Sequence, residues 1–353
     1  MKKMLALLLA AVMTFALVAC GGGSSSSAPA DSGSSSAPAD SGSSSAPADS
    51  AAPAAPATTG GGKLTFTTGG ESGTYYGFGT VLAGKVSDKT GTSVTAITSG
   101  GSKANIEALE AGDAQLGFVQ SDVAAYGYNG ERLFDEKVDI FSTVASLYME
   151  QVQIVTLDPN IKSVADLAGK NVSIGAAGSG VYFNAVDVLG AYGIDADNGI
   201  NPTYQSFGDS VEALQDGKID AAFIVAGAPT TAVTSLAASK QVYLVSLDDE
   251  HIDKLIADSP YYSKNVISKD AYGLTDDVTT VAVAAVVIAR NDVAEDDVYN
   301  FVSTVFESKD EISSSHAKGA ELDLDFAASV TSVPYHPGAA RYFAEKGLEV
   351  AVK

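Results

Sequence analysis

Short apolar runs alternate with longer amphipathic stretches from about residue 64 to the end of the chain. Apolar, β-branched runs bounded by glycine or polar residues are typical of buried strands, and the stretches between them have the length of helices. Strands that alternate with helices predict an α/β protein whose sheets are mostly parallel and flanked by helices. The first nine predicted strands lie at residues 64–67, 94–98, 116–120, 140–147, 152–157, 172–174, 203–206, 221–225 and 242–247.

The pattern occurs twice. Ser72-Gly73-Thr74-Tyr75-Tyr76 and Ser179-Gly180-Val181-Tyr182-Phe183 are near copies, and each follows a predicted strand and opens a predicted helix. Gly112 and Gly217 end corresponding helices, where a left-handed residue is needed before the next strand. The repetition predicts two similar lobes. The other repeated segments, in equal spacing, are Glu107-Ala108-Leu109 with Phe118-Val119, and Glu212-Ala213-Leu214 with Phe223-Ile224.

A valine-rich run at residues 281–289 is too short to span a bilayer and predicts a buried strand that returns the chain to the first lobe. The last sixty or so residues are predicted to be mostly helical. We therefore assign residues 63–149 and 281–353 to lobe 1 and residues 150–280 to lobe 2. The two hinge crossings are predicted near residues 148–151 and near Val281.

The N-terminal segment has the pattern of an export signal. Lys2 and Lys3 precede an apolar run at residues 4–19, and Leu17-Val18-Ala19-Cys20 resembles the lipobox of bacterial lipoproteins. The resemblance implies a signal peptide at residues 1–19 and an acylated Cys20 that anchors the protein to the outer face of the cell membrane. A secreted protein without an anchor is the alternative. Residues 20–62, rich in Ser, Ala, Pro and Gly, are predicted to be a disordered tether.

The formal net charge is −22 at pH 7. A chain this acidic is a poor candidate for binding nucleic acid or anionic lipid, so we predict no nucleic-acid partner. The charge serves solubility.

Glycine-rich loops follow the predicted strands. The loop at residues 68–74 can hold a carboxylate or phosphate through backbone N–H groups, although it lacks the motifs of a P-loop or a dinucleotide site. Ligands of parallel sheets bind outside the carboxyl ends of the strands, where Gln120 also lies. Asn184 follows the second loop by one helical turn. Ser102 has two possible roles, as the N-cap of a helix or as a contact to the ligand. Asp122 is expected to be the N-cap of the helix that it precedes.

Catalytic constellations are not recognisable. His251, His316 and His336 show no metal-ligand spacing, and no serine or carboxylate stands in a hydrolase motif with a histidine. We predict a protein that is not an enzyme and that carries no cofactor or metal. The three arginines, Arg132, Arg290 and Arg341, lie outside the predicted lobe 2, so a carboxylate there is expected to be held by helix-start N–H groups, hydroxyls or a lysine.

Six motifs together resemble the TAXI family of solute receptors for TRAP transporters, from about Leu64 to the C-terminus. They are Thr67-Thr68-Gly69-Gly70 with Gly73-Thr74-Tyr75-Tyr76, Gly100-Gly101-Ser102 with Asn105, Phe118-Val119-Gln120-Ser121-Asp122-Val123-Ala124, Gly178-Ser179-Gly180 with Phe183-Asn184-Ala185, Gly227-Ala228-Pro229, and His336-Pro337-Gly338-Ala339-Ala340-Arg341-Tyr342.

The resemblance implies a two-lobed periplasmic-binding-protein fold of type II, with two hinge crossings. It implies a monomeric receptor that passes a small solute, often glutamate, glutamine or another carboxylate, to TRAP membrane permease subunits. The same fold serving an ABC importer or a sensor kinase is the alternative, followed by an extracytoplasmic enzyme. The ligand-binding residues that we predict are Gly73, Thr74, Tyr75, Ser99, Gly100, Ser102, Asn105, Gln120, Ser179, Gly180, Asn184 and Gly227.

The sequence departs from the family pattern at Glu71-Ser72, where threonine and glycine are more frequent, and at Gly77, where proline is common. Glu71 would repel an anion if it faced the ligand. The solute class therefore stays open at this point.

Overall fold

The computed structural model describes residues 61–353, and within them the chain forms ten strands and eleven α-helices. The predicted signal peptide, Cys20 and nearly all of the predicted tether lie outside the described residues. The strands are β1 (Lys63–Thr67), β2 (Ser93–Ile97), β3 (Leu116–Gln120), β4 (Phe141–Thr156), β5 (Asn171–Ser173), β6 (Asn201–Thr203), β7 (Ala221–Ala226), β8 (Tyr243–Leu244), β9 (Ser263–Ile267) and β10 (Val278–Arg290).

The helices are α1 (Thr74–Lys89), α2 (Ser102–Ala111), α3 (Ser121–Asn129), α4 (Val181–Ala191), α5 (Phe207–Gln215), α6 (Thr231–Ala237), α7 (Asp249–Asp258), α8 (Glu295–Glu307), α9 (Lys309–Ser315), α10 (Leu324–Ala327) and α11 (Pro337–Glu345). Short 3₁₀ helices lie at Val164–Leu167, Lys269–Ala271 and Ala317–Glu321. No helix among residues 61–353 has both the length and the apolar character needed to cross a bilayer.

Two long strands connect two groups of parallel strands. The strand order is β2-β1-β3-β10-β4-β7-β5-β6, and β8 and β9 pair with β4 and β10. β1 is parallel to β2 and β3, and β5 is parallel to β6 and β7. The antiparallel pair β4 and β10 runs through both groups, because β10 pairs with β3 at one end and with β9 at the other. Lobe 1 therefore carries β1–β3, lobe 2 carries β5–β9, and β4 and β10 belong to both.

Both faces of the sheet are buried in each lobe. Phe118 and Val287 point to one apolar cluster of lobe 1, whereas Val119 and Val286 point to another on the opposite face. In lobe 2, Phe223 and Ile224 divide in the same way. Successive strand residues point to opposite faces, so a strand buried on both faces must be apolar throughout. This explains the unbroken apolar runs of the sequence.

Most of the predicted elements are confirmed. The run at residues 281–289 is the central part of β10, and the C-terminal region is dominated by α8–α11. Gly112 and Gly217 are left-handed, with φ of 83° and 67°.

Four predicted strands have wrong bounds, and one strand was missed. Residues 140–147 and 152–157 form the single 16-residue strand β4, because the polar residues between them also pair with β10. The predicted strand at 203–206 ends at Thr203, since Ser206 caps α5 with its side chain. The strand predicted at 242–247 is reduced to β8, and β9, whose residues are mostly exposed, was not predicted at all. The exact hinge positions, and with them the lobe boundaries, stay predictions.

Candidate ligand-binding site

A cavity of about 90 Å³ lies between the two lobes. Its wall consists of the loops after β1, β2, β5 and β6 and of the ends of β3 and β7, together with one residue of β4, Glu150. All of these loops follow parallel strands, so the cavity lies at the sheet edge where α/β proteins place their ligands.

Four helices begin at the cavity. The residues before their first turns are Gly73 (α1), Gly101 (α2), Gly180 (α4) and Ser206 (α5), and all four line the cavity. Because the first N–H groups of a helix lack intrahelical partners, each start is a source of hydrogen-bond donors with a partial positive charge. Gly101 has φ of 103°, a conformation that other residues rarely adopt.

Hydrogen bonds between the lobes show that the cavity is closed. Thr74 Oγ1 donates to the carbonyl oxygen of Gly227 at 2.9 Å. The backbone N–H of Ala104 donates to the carbonyl of Gly178 at 3.0 Å, and that of Ala232 to the carbonyl of Ser72 at 3.1 Å. Each bond joins a residue of lobe 1 to one of lobe 2, so all three must break when the lobes separate.

A buried side-chain network also crosses between the lobes. Gln120 Nε2 donates to Asn184 Oδ1 at 2.9 Å, and Asn184 Nδ2 donates to Asp122 Oδ2 and to Tyr262 Oη. Tyr262 in turn donates its only proton to Asp187, so its oxygen must accept from Asn184. This fixes the amide orientation of Asn184 and hence that of Gln120. Gln120 Oε1 is left buried, without a partner among the described residues.

Asp122 does not have the role that the sequence suggested. The N-cap of α3 is Gln120, and Asp122 is fully buried in the first turn, bonded to Asn184. Burial, together with the nearby charge of Asp187, raises its pKa to about 7.

Glu150 is the ionisable residue of the cavity wall that the sequence analysis missed. Its side chain is buried in the middle of β4, and Tyr75 Oη donates to its Oε2 at 2.6 Å. Burial raises the pKa of Glu150 to about 8, and the charge of Asp122 acts in the same direction, against the Tyr75 hydrogen bond and Lys318. One signal was available in the sequence, because Glu150 is the single charged residue in a run of 17 residues, 141–157, that is otherwise uncharged.

The structure brings most of the predicted ligand-binding residues together. The cavity is lined by Gly73, Thr74, Tyr75, Ser99, Gly100, Ser102, Gln120, Ser179 and Gly180.

Asn105, Asn184 and Gly227 do not line the cavity. Asn105 donates to the carbonyls of Thr68 and Phe118, and so holds the ends of β1 and β3 together behind the wall. Asn184 orients Gln120, and the carbonyl of Gly227 accepts from Thr74.

Ser102 and Glu71 have definite positions. The N-cap of α2 is Gly101 and not Ser102, whose Oγ accepts from the backbone N–H of Gln120 at 3.1 Å. Glu71 is exposed and does not line the cavity.

A segment of lobe 2 was also missed. Gln205, Ser206 and Phe207 line the cavity after β6, as Ser99–Ser102 do after β2. The internal repeat was the available signal, but the predicted strand extended over Gln205 and Ser206 and concealed the loop.

The wall carries hydroxyl, amide and carboxyl groups. Among the described residues that line the cavity, none is a lysine, arginine, histidine or cysteine. Residues 61–353 also contain no cluster of three or more His, Cys, Asp or Glu residues placed to hold a metal ion. The site offers hydrogen bonds, helix starts and one carboxyl group.

Two lobes that share two long strands and close on a cavity between them define the class of two-lobed ligand-binding folds. Within that class, the model of the NMT1-like family matches residues 66–347, and the chain belongs to this family.

Solved structures agree with the fold. MatC from Rhodopseudomonas palustris with bound malate has a TM-score of 0.51 at 16% identity, over 74% of this chain and 90% of that chain. The alkanesulfonate-binding protein SsuA from Xanthomonas axonopodis pv. citri bound to MOPS has a TM-score of 0.48 at 16% identity, with coverages of 84% and 88%. The GluR0 ligand-binding core from Nostoc punctiforme with L-glutamate has a TM-score of 0.45 at 16% identity, with coverages of 73% and 99%. The predicted periplasmic-binding-protein fold is confirmed.

Proposed function

We propose that the protein is an extracytoplasmic solute-binding receptor that captures a small polar solute between its lobes and delivers it to a membrane permease. The permease is a TRAP transporter of the TAXI type, and the solute carries a carboxylate, as glutamate and glutamine do. The family match to residues 66–347 and the order of the six motifs support this assignment.

The observation that carries the proposal is the closed cavity between the lobes. Helix starts of both lobes meet there, and the lobes are joined over it by hydrogen bonds such as that of Thr74 to Gly227. A solute that contacts both lobes stabilises the closed form, because these contacts exist only when the lobes are together. MatC, whose structure holds malate, is an example of a small carboxylic acid bound by a protein of this fold.

In the cell, we propose that the receptor lies outside the cytoplasm. A signal peptide at residues 1–19 and acylation of Cys20 would place the receptor on the outer face of the membrane as a lipid-anchored monomer. The receptor is then not an enzyme, because it releases its solute chemically unaltered. It needs no cofactor for capture and release.

The test is a thermal-shift screen of the purified protein against amino acids, 2-oxo acids, dicarboxylates and sugars, followed by calorimetry. A ligand that binds only the folded state raises the free energy of unfolding by RT ln(1 + [L]/Kd), so the melting temperature rises with the logarithm of ligand concentration over Kd. We expect saturable binding and recovery of the ligand chemically unaltered. Chemical turnover, or no shift with any solute class, would contradict the proposal. If uptake of the solute required a co-expressed ABC permease and not a TRAP permease, the transporter assignment would be wrong. The assignment as a solute receptor would stand.

Two substitutions test the site. Thr74→Val removes the hydrogen bond to Gly227, and Asn184→Ala removes the amide that orients Gln120. We expect each to weaken solute binding about tenfold, which corresponds to about 1.4 kcal/mol. Thr80→Val is the matched control, because Thr80 lies on the exposed face of the same helix α1. Unchanged affinity in both variants would refute a site between the two loops.

A further inference from the structure

Among the described residues that line the cavity, Glu150 is the single carboxylic acid and none is basic. Glu150 lines the cavity, is 2% exposed, and accepts a hydrogen bond from Tyr75 Oη through its Oε2. A buried carboxyl group is costly unless it is neutral or paired with a positive charge. Among the described residues no lysine, arginine or histidine lines the cavity, and Lys318, the cation that acts on Glu150 from behind the wall, is itself paired with Glu321.

Two side-chain oxygens of the cavity wall receive no hydrogen bond from the described residues. Gln120 Oε1 is buried and unpaired in the described residues, and its amide orientation is fixed by Asn184. Ser179 Oγ is likewise buried and unpaired. An occupant that donates hydrogen bonds would satisfy these groups, whereas an occupant with only oxygen acceptors would not satisfy Gln120 Oε1.

The N-terminal ends of four helices supply hydrogen-bond donors and partial positive charge to the cavity. Helices α1, α2, α4 and α5 begin at the cavity, and the partial positive charge of their N-terminal ends can hold one negative group in place of a cation. The wall therefore has donors for one carboxylate and a carboxyl group for one ammonium. A second carboxylate on the ligand would meet no basic side chain, and Glu150 would repel it.

We propose that Glu150 binds the ammonium group of the solute, and that the receptor selects α-amino acids with an uncharged side chain over dicarboxylates. This proposal rests on the proposed function and narrows its solute class. Glutamine is then preferred to glutamate, and acids without an amine, such as glutarate or 2-oxoglutarate, are rejected. The small volume of about 90 Å³ favours compact amino acids in the closed form.

The central experiment is calorimetry with Glu150→Gln and Glu71→Gln. The first variant removes the charge of Glu150 but keeps an oxygen for Tyr75 to bond. The second removes an exposed acid near the same loop that does not line the cavity. We expect neutral amino acids to bind the wild type at least tenfold more tightly than glutarate, 2-oxoglutarate and glutamate. Glu150→Gln should lose at least tenfold in amino-acid affinity, and Glu71→Gln should keep it.

Proton release gives a second measurement that needs only the wild type. Tyr75, Tyr148, Asp122 and Lys318 are the titratable groups that act on Glu150, whose pKa in the free protein is raised to about 8. An ammonium group bound to Glu150 forces it to ionise, so binding near pH 7 should release up to one proton. Titration in two buffers of different ionisation enthalpy counts these protons. A ligand carboxylate bonded to protonated Glu150 would instead release none.

The outcomes separate the two proposals. A dicarboxylate without an amine that binds as tightly as the best amino acid would overturn the role of Glu150 and leave the receptor function intact. So would an unchanged amino-acid affinity in Glu150→Gln, or binding without proton release. If the protein binds no small solute of any class, the proposed receptor function is wrong. The role of Glu150 in binding an ammonium group is then wrong as well.

Discussion

Gly180, at the start of α4, packs directly against Gln120 of lobe 1. A Cβ atom at this position would lie 1.7 Å from Gln120 Oε1 and 2.9 Å from Ser102 Oγ. Any side chain here must displace Gln120, which Asn184 holds in place. The glycine is therefore required by the closed form, in which lobe 1 packs directly against the start of α4.

We expect Gly180→Ala to weaken solute binding at least tenfold with little loss of melting temperature, because only closure brings Gln120 against this position. Calorimetry and thermal unfolding measure the two effects. Gly190→Ala is the matched control, since it lies in the same helix with nothing within 4 Å of the added Cβ. It should keep its affinity and gain about 0.5–1 kcal/mol of stability from replacing a helical glycine. Equal affinities in the two variants would contradict this account of closure.

At the level of elements, the loop between α3 and β4 is joined to α4 by an ion pair. Arg132 donates two hydrogen bonds to Asp187, at 2.7 and 3.0 Å, and lies over the rings of Tyr126 and Phe183. Arg132 has φ of 58° and is the single non-glycine residue with positive φ among residues 61–353. A strained backbone of this kind persists only where surrounding contacts hold it. The pair connects lobe 1 to lobe 2 outside the cavity.

Arg132→Ala should favour the open form. The pair is partly exposed, with 29% of the arginine and 18% of the aspartate side chain accessible, so its contribution is about 1 kcal/mol after solvent screening. We expect an approximately fivefold loss of affinity, mainly through faster dissociation, which stopped-flow or surface binding kinetics can measure. Arg290→Ala, which breaks an ion pair inside lobe 1, should leave dissociation unchanged. A slower association with unaltered dissociation would indicate a different role.

At the level of the whole molecule, the buried acids couple stability to pH. The pKa of Glu150 is raised from 4.5 to about 8 and that of Asp122 from 3.8 to about 7. A carboxyl group with a raised pKa binds its proton more tightly in the folded state, so the free energy of unfolding falls as pH rises between the two values. Burial lowers the pKa of His336 from 6.5 to about 4, which has the opposite effect but only below about pH 6.5.

The ligand-free protein should therefore lose about 1–2 kcal/mol of stability between about pH 6.5 and about pH 8.5, which lowers the melting temperature by a few degrees. Glu150→Gln should flatten this dependence, whereas Glu71→Gln should retain it. Thermal unfolding across the pH range is the measurement. A wild-type melting temperature that rises over this interval would show that Glu150 is ionised in the empty cavity.

The sequence by itself determined the elements and their arrangement in two lobes. Strand periodicity and the repeated glycine loops predicted the α/β class, since these patterns follow from burial within single elements. The same loops predicted nine residues of the cavity wall, because parallel strands place all their following loops at one edge.

Only the tertiary structure decided which polar residues line the cavity and which support its wall from behind. Asn184 and Asn105 resembled contact residues but lie behind the wall, whereas Glu150 lies within an apolar run and faces the cavity. The difference depends on how the lobes meet across β4 and β10, and hence on pairings between residues far apart in the chain. A local sequence pattern does not predict such pairings, because residues of the opposite lobe form the environment of each side chain at the cavity.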